Sequence, residues 1–245
     1  MSHSFSEDTF FNGALRVRQS RSGYRFSIDA VLLAGYATGH IRPETPTSIV
    51  DLGTGCGIIP LILAYRHDRV SITGVEIQPP LARLAAENVR INHLADRITI
   101  LCRDMTSGDP STPAGQADLV ISNPPFRKTL SGRINANSER ALARHEIEST
   151  VEDVIDTAVR LLRVSGKFAV VYPASRLTDI MTTMRQAGLE PKQVRLVHSR
   201  ETEAAKLVLI QGLKHGRPGL TVEPPLIVYL PDGGYTEEVR AMFQP

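Results

Sequence analysis

From Ser48 onward, short apolar runs alternate with stretches in which apolar residues recur every three to four positions. SIVDLG reads as a buried strand and GIIPLILAYR as a helix; SITGVEI is the next strand. Pro79 and Pro80 then open the helix LARLAAENVRIN, because proline is tolerated in a first helical turn. RITILCRD and ADLVISN read as two more strands, and GKFAVVYP as a fifth. Between the last two, Thr150-Val151-Glu152-Asp153 has the capping-box pattern ahead of IDTAVRLL. This alternation predicts an α/β fold, a mostly parallel sheet with helices on both faces. PKQVRLVHS, AKLVLIQGLK and LIVYL are strand-like and mostly lack intervening helices, which predicts an antiparallel C-terminal edge and seven strands in all.

The pattern before Ser48 is different. FFNGALRVRQS carries Asn12-Gly13 between two strand-like runs, a hairpin signal, and places Arg16 and Arg18 on one face of the second strand. Ser27 starts an apolar helix through AVLLAGYA, and the turn-rich IRPETPT follows. The chain thus divides into a hairpin-and-helix extension over 1–45 and a main domain over 46–245. Residues Arg127 to Ser149 are long, polar and charged, and read as a mobile loop beside the site.

Composition narrows the class. A chain of 245 residues, 42% of them hydrophobic, can bury one sizeable core without staples. Cys56 and Cys102 are too few for a disulfide framework and fit a reduced intracellular protein. No N-terminal targeting pattern is visible, and no apolar stretch reaches the roughly 18 to 20 residues that span a bilayer. The expectation is a soluble, cytoplasmic protein without a membrane partner. Net charge is only +2, but most of the 28 basic residues are Arg, and Arg16, Arg18, Arg21 and Arg25 fall in an acid-free stretch between Asp8 and Asp29. Arginine forks suit phosphate.

The candidate chemistry sits at strand ends. DLGTGCG follows the first parallel strand, and its glycines (Gly53, Gly55, Gly57) let the backbone turn sharply and a ligand approach. The spacing is G-x-G-x-G, not the G-x-G-x-x-G of a dinucleotide fingerprint. Glu76 ends the second strand, where a carboxylate can accept from both hydroxyls of a ribose. Asp104 follows the third and could accept from an exocyclic amine. Asp51, Glu76, Asp104 and Asn123 all fall at the carboxyl ends of successive strands, where open α/β sheets bind ligands.

On these residues the chain resembles the class I S-adenosylmethionine-dependent methyltransferases, which implies a Rossmann-like fold. The resemblance implies that the glycine loop with Asp51 and Thr54 passes under the methionine part of the cofactor. It also implies that Glu76 with Ile77 holds the ribose and that Asp104 with Met105 meets the adenine. S-adenosylhomocysteine would be the product.

The Asn-Pro-Pro-aromatic run of ISNPPF resembles the site of methyltransferases that modify exocyclic or amide nitrogens planar with a π system. The lone pair of an adenine amine is delocalised into the ring, so it is a poor nucleophile. The Asn123 side-chain carbonyl and the Pro124 backbone carbonyl can each accept one N–H and aim the lone pair, with Pro125 stiffening the turn and the Phe126 ring stacking on an extruded base. Cytosine C5 chemistry would need a nucleophilic cysteine near this loop, and neither cysteine is there. The seven His lack ligand spacing, so no metal is expected, and His145 reads as a loop residue.

YRFSIDAVLLA, ISNPPFRK, ARHE and PPLIVYLPDGGYTEEV together resemble the bacterial tRNA1(Val) (adenine-37) N6-methyltransferases nearly end to end. Phe126 stands where Tyr is commoner. This resemblance adds Phe26, Ser27 and Asp29 to the candidate site and implies a tRNA or other RNA substrate. Arg16, Arg18, Arg21, Arg25, Arg127, Lys128 and Arg133 are the expected phosphate-binding rim. The alternatives are a base in ribosomal RNA or DNA, a protein glutamine, or a non-catalytic nucleotide- or RNA-binding protein.

Overall fold

The structure, a computed structural model, describes residues 5–20, 26–107, 114–124 and 150–244. Strands β1 (Phe5–Phe10) and β2 (Leu15–Ser20) form the expected antiparallel hairpin, turning through Phe11–Gly13 with Asn12 at φ 55° and Gly13 at φ 87°. Helix α1 (Ile28–Thr38) follows, with Ser27 as its N-cap residue.

The alternating part is β3 (Thr47–Leu52), α2 (Ile58–Arg66), β4 (Val70–Glu76), α3 (Pro79–Ile91), β5 (Ile98–Cys102) and β6 (Ala117–Ser122). It continues with α4 (Val151–Leu161) and β7 (Leu162–Pro173). The capping box of Thr150 and Asp153 is formed at α4, and prolines open α3. A helix that the sequence reading omitted, α5 (Leu177–Gln186), separates β7 from β8 (Leu189–His198). Then come β9 (Ala205–Lys214), the two-residue strands β10 (Thr221–Val222) and β11 (Leu226–Ile227), and α6 (Glu237–Ala241).

The long strands lie in the order β8-β9-β7-β6-β3-β4-β5. All pairings from β7 to β5 are parallel, whereas β9 runs antiparallel to both β7 and β8. The antiparallel element is therefore one strand, inserted second from the edge. LIVYL contributes only the short β11, which pairs parallel to β8, as does β10.

Alternation across the sheet sorts the core into two layers. Ile49, Leu119, Ile121, Ala169 and Leu209 pack with α1, α2 and the hairpin. Val50, Val120, Phe168, Val170 and Ile210 pack with α4 and α5. Helix α1 is apolar nearly all round, and a helix of that kind must be covered on every side. The C-terminal segment supplies the outer cover. It is tied to β8 by Arg195–Glu238 and seats Met242 against Gly35 of α1. It ends at the hairpin, where Phe11 N donates to Phe243 O and the Phe10 and Phe243 rings stack at 5.7 Å. The PPLIVYLPDGGYTEEV motif, whose Leu226, Val228 and Val239 join the same core layer as α1, leads into this strap. Among the described residues no helix is long and apolar enough to cross a membrane.

Candidate active site

The carboxyl ends of β3, β4 and β6 are brought level by the register: Leu52 lies opposite Val75 on one side and Ser122 on the other. Ser122 Oγ donates to Leu52 O at 2.9 Å, locking the end of β6 to the start of the glycine loop. The next residues on those strands, Gly53 and Asn123, therefore emerge side by side. Asn123 is half-buried and Pro124 buried. Pro125 and Phe126 lie outside the described residues, as do the loop from Arg127 to Ser149 and His145.

The loop is held open by its own backbone. Gly53 and Thr54 N–H both donate to Val75 O, and Gly57 N donates to Thr54 O. Gly53 is at φ +73°, and a Cβ there would meet nothing within 4 Å among the described residues. Gly57, at φ +85°, abuts Ala85, and an added Cβ would lie 3.3 Å from that methyl group. Only glycine combines that conformation with that proximity. Helix α2 starts directly after it and offers the N–H groups of its first turn.

Glu76 is buried beneath this loop. Its Oε2 accepts from Gly55 N and its Oε1 from Gln78 N, each at 2.9 Å. The carboxylate thus shapes the loop and keeps lone pairs on both oxygens for a ligand. Asp104 is exposed, with Oδ1 accepting from Thr106 N and Oγ1 at 2.8 Å. Its local turn presents the carboxylate beyond β5. Ile77 and Met105, both half-buried apolar side chains, follow β4 and β5 at the same edge.

Asp51 is the most unusual group. It is 1% exposed, and among the described residues its carboxylate oxygens and the buried Thr54 Oγ1 have no partner beyond a weak contact between the two side chains. Burial pushes the Asp51 carboxyl up to about 7; the nearby Thr54 hydroxyl opposes this and the Glu76 charge adds to it. Two buried polar groups with little but each other to bond, beside the glycine loop, suit a ligand carrying a cationic amine. The shift also makes a stability prediction. The carboxyl of the folded state binds its proton more tightly than that of the unfolded chain. The stability this confers is complete at acid pH and is lost as pH rises through about 7. Asp51→Asn should therefore match the wild type at pH 4 and exceed it at pH 8, by on the order of a few kcal/mol. Thermal unfolding at the two pH values measures this, and equal differences at both would remove the assignment.

The N-terminus of α1 reaches the same edge. Lys167 Nζ, low on β7, donates to His40 O just past the end of α1, and Tyr36 contacts Gln193 O higher up the sheet. The helix therefore runs antiparallel to β7. Asp29 and Ser27 lie roughly 10 and 14 Å beyond Tyr36, toward the carboxyl edge. The Phe26 ring packs 5.7 Å from that of Phe10, and Phe26 N donates to Gln19 Oε1, so this residue anchors the segment to the hairpin.

Of the expected arginine rim, Arg16 and Arg18 fall among the described residues. Arg16 and Arg18 share a face, and β2 lies along α3, where Asn88 joins Arg18 to the glycine-loop residue Cys56. Arg18 pairs with Glu7 and Glu87, and Arg16 lies 3.9 Å from Glu7. Carboxylates already meet both guanidinium groups. Arg21, Arg25, Arg127, Lys128 and Arg133 lie outside the described residues. Cys102, expected inside a strand, ends β5 and is exposed, while burial pushes the Cys56 thiol up to about 12.

A glycine loop at the carboxyl ends of a sheet of this order, with an acid at each of three strand ends, is the arrangement of the Rossmann-like methyltransferase fold. The chain belongs to the family described as methyltransferase small domain, whose model matches residues 37–188. It is 33% identical over 202 residues to the tRNA1(Val) (adenine(37)-N6)-methyltransferase of Porphyromonas gingivalis, covering 82% of this chain and 76% of that one. With the enzyme of the same name from Tolumonas auensis it shares 29% identity over 241 residues, 98% and 94% of the two chains. Among solved structures, a "predicted O-methyltransferase" of Agrobacterium tumefaciens superposes with a TM-score of 0.70 at 23% identity, covering 87% and 94%. That likeness carries the fold alone.

Proposed function

We propose that this protein methylates N6 of an adenine in tRNA, at position 37 of tRNA1(Val), with S-adenosylmethionine as donor. One observation carries the reading: Asn123 and Pro124 emerge beside the glycine loop, locked there by the Ser122–Leu52 hydrogen bond. The cofactor suits the residues present, because among the described residues Asp51 and Thr54 are buried with at most each other as polar partners, and a Cβ on Gly53 would meet nothing within 4 Å. Those residues with Gly55 and Gly57 would hold its amino acid part, Glu76 and Ile77 its ribose, and Asp104 and Met105 its base. Ser27 and Asp29 would close the cleft from the α1 side. When bound, S-adenosylmethionine supplies a methyl group on a positively charged sulfur.

The chain's own contribution is to make a poor nucleophile usable. Asn123 Oδ1 and the Pro124 carbonyl each accept one N–H of the adenine amine, drawing its nitrogen away from planarity and turning the lone pair out of the ring. Proline fixes the backbone before substrate arrives, so little reorganisation is left for the reaction itself. The amine becomes acidic only as its nitrogen is alkylated, so carbonyl acceptors suffice and no ionised base is required. The Phe126 ring would stack on the extruded base.

The relatives' printed activity over nearly the whole chain supports the choice of tRNA. Incubating the protein with labelled cofactor and transcribed tRNA1(Val), ribosomal RNA or release factor tests it. Label is expected in the tRNA, as N6-methyladenosine on digestion. Label in ribosomal RNA or protein alone would overturn the substrate assignment and leave the methyltransferase standing.

A further inference from the structure

Asn88, on α3, is fully buried and uses its amide on two different elements. Its Oδ1 accepts from Arg18 N at 2.9 Å, and its Nδ2 donates to Arg18 O at 3.0 Å and to Cys56 O at 2.9 Å. One turn later Asn92 repeats the pattern on the next β2 residue of the same face. Its Oδ1 accepts from Arg16 N at 2.9 Å, and its Nδ2 donates to Arg16 O at 2.6 Å. Four helical residues advance about 6 Å and two strand residues about 6.8 Å, so two amides spaced i, i+4 can stand in for a neighbouring strand. They pair the edge of β2 that would otherwise be open.

Only Asn88 also reaches the glycine loop. Cys56 lies between Gly55 and Gly57, and the direction of its carbonyl sets how the chain enters α2. The next residue along β2, Gln19, accepts from Phe26 N at 3.0 Å and so holds the segment that leads into Ser27 and Asp29. The floor of the cleft and the segment at its α1 side are thus held by adjoining β2 residues, Arg18 through Asn88 and Gln19 directly.

We infer that Asn88 is a positioning residue that couples the glycine loop to the N-terminal hairpin, so that cofactor affinity depends on hairpin docking. The inference rests on the cofactor reading given above. A side chain that merely covered the edge of β2 would affect stability and leave the affinity of the folded protein unchanged.

Asn88→Asp keeps the shape but turns lone pairs toward the Cys56 and Arg18 carbonyls. Calorimetric titration with S-adenosylhomocysteine, at a temperature where the variant is folded by circular dichroism, should show Kd raised about tenfold or more. The KM for S-adenosylmethionine should rise by more than kcat falls. Asn92→Ala loosens the hairpin without touching Cys56 and should raise Kd by a smaller factor, about two- to fivefold.

Coupling is reciprocal, so S-adenosylhomocysteine should slow hydrogen exchange at the Arg16 and Arg18 amides of the wild type. A folded Asn88→Asp variant with wild-type affinity, or wild-type exchange indifferent to the ligand, would overturn the inference. Should Asn88→Asp fail to fold, the wild-type exchange measurement decides alone. A wild type that binds no S-adenosylhomocysteine would remove the cofactor assignment, and this inference with it.

Discussion

Asn123→Ala is expected to lower turnover by about 10² or more, with affinity for S-adenosylhomocysteine little changed. The Asn123 carbonyl faces charge that develops as the amine is alkylated, so its worth is realised mainly in the transition state. The register that brings the end of β6 against the glycine loop is made by backbone pairing and Ser122, none of which the substitution touches. Single-turnover methylation of tRNA1(Val) and calorimetry with the product cofactor separate the two quantities. Loss of cofactor binding, with turnover at saturation retained, would assign Asn123 to the wrong half of the site. Asn123→Asp sharpens the test. A carboxylate still accepts hydrogen bonds, but its charge would strengthen contact with the amine while changing the field at the methyl donor. Partial activity in Asp and near-loss in Ala is the pattern that an acceptor role demands.

Glu76→Ala should do the reverse, raising Kd for S-adenosylhomocysteine by about 100-fold while the turnover of cofactor-saturated enzyme falls far less. Two losses combine. The Gly55 and Gln78 N–H groups lose their acceptors beneath the loop, and the ribose hydroxyls lose theirs. Glu76→Gln is not a gentle replacement here. Each carboxylate oxygen accepts from a different backbone N–H, so one of those donors must confront the amide NH2. The Gln variant should therefore bind only modestly better than Ala. Wild-type affinity in either variant, measured by calorimetry, would remove Glu76 from the cofactor site.

The parallel core was legible because its signals are local. Apolar runs of strand length, the prolines at 79 and 80, the capping box at Thr150 and the G-x-G-x-G spacing each depend on a few neighbouring residues. Helix α5 was also legible in principle, since Leu177, Ile180, Met181 and Met184 share one face, but its threonines weaken the helical reading. Asp51 and Glu76 could be assigned to strand ends, yet nothing in their neighbours shows that one would be buried with little to bond and the other would prop the loop.

Sequence by itself established the strand–helix alternation, the acids at strand ends and the Asn-Pro turn, because each follows from spacing along a single segment. Folding in three dimensions decided the rest. It placed β9 between β7 and β8, laid the C-terminal strap over α1, and paired Arg18 with Glu7 and Glu87. It also gave Asn88 its partners, one of them 70 positions away in the chain. Periodicity is a property of the chain's own geometry, whereas a side chain's partner depends on which distant surfaces are pressed against it.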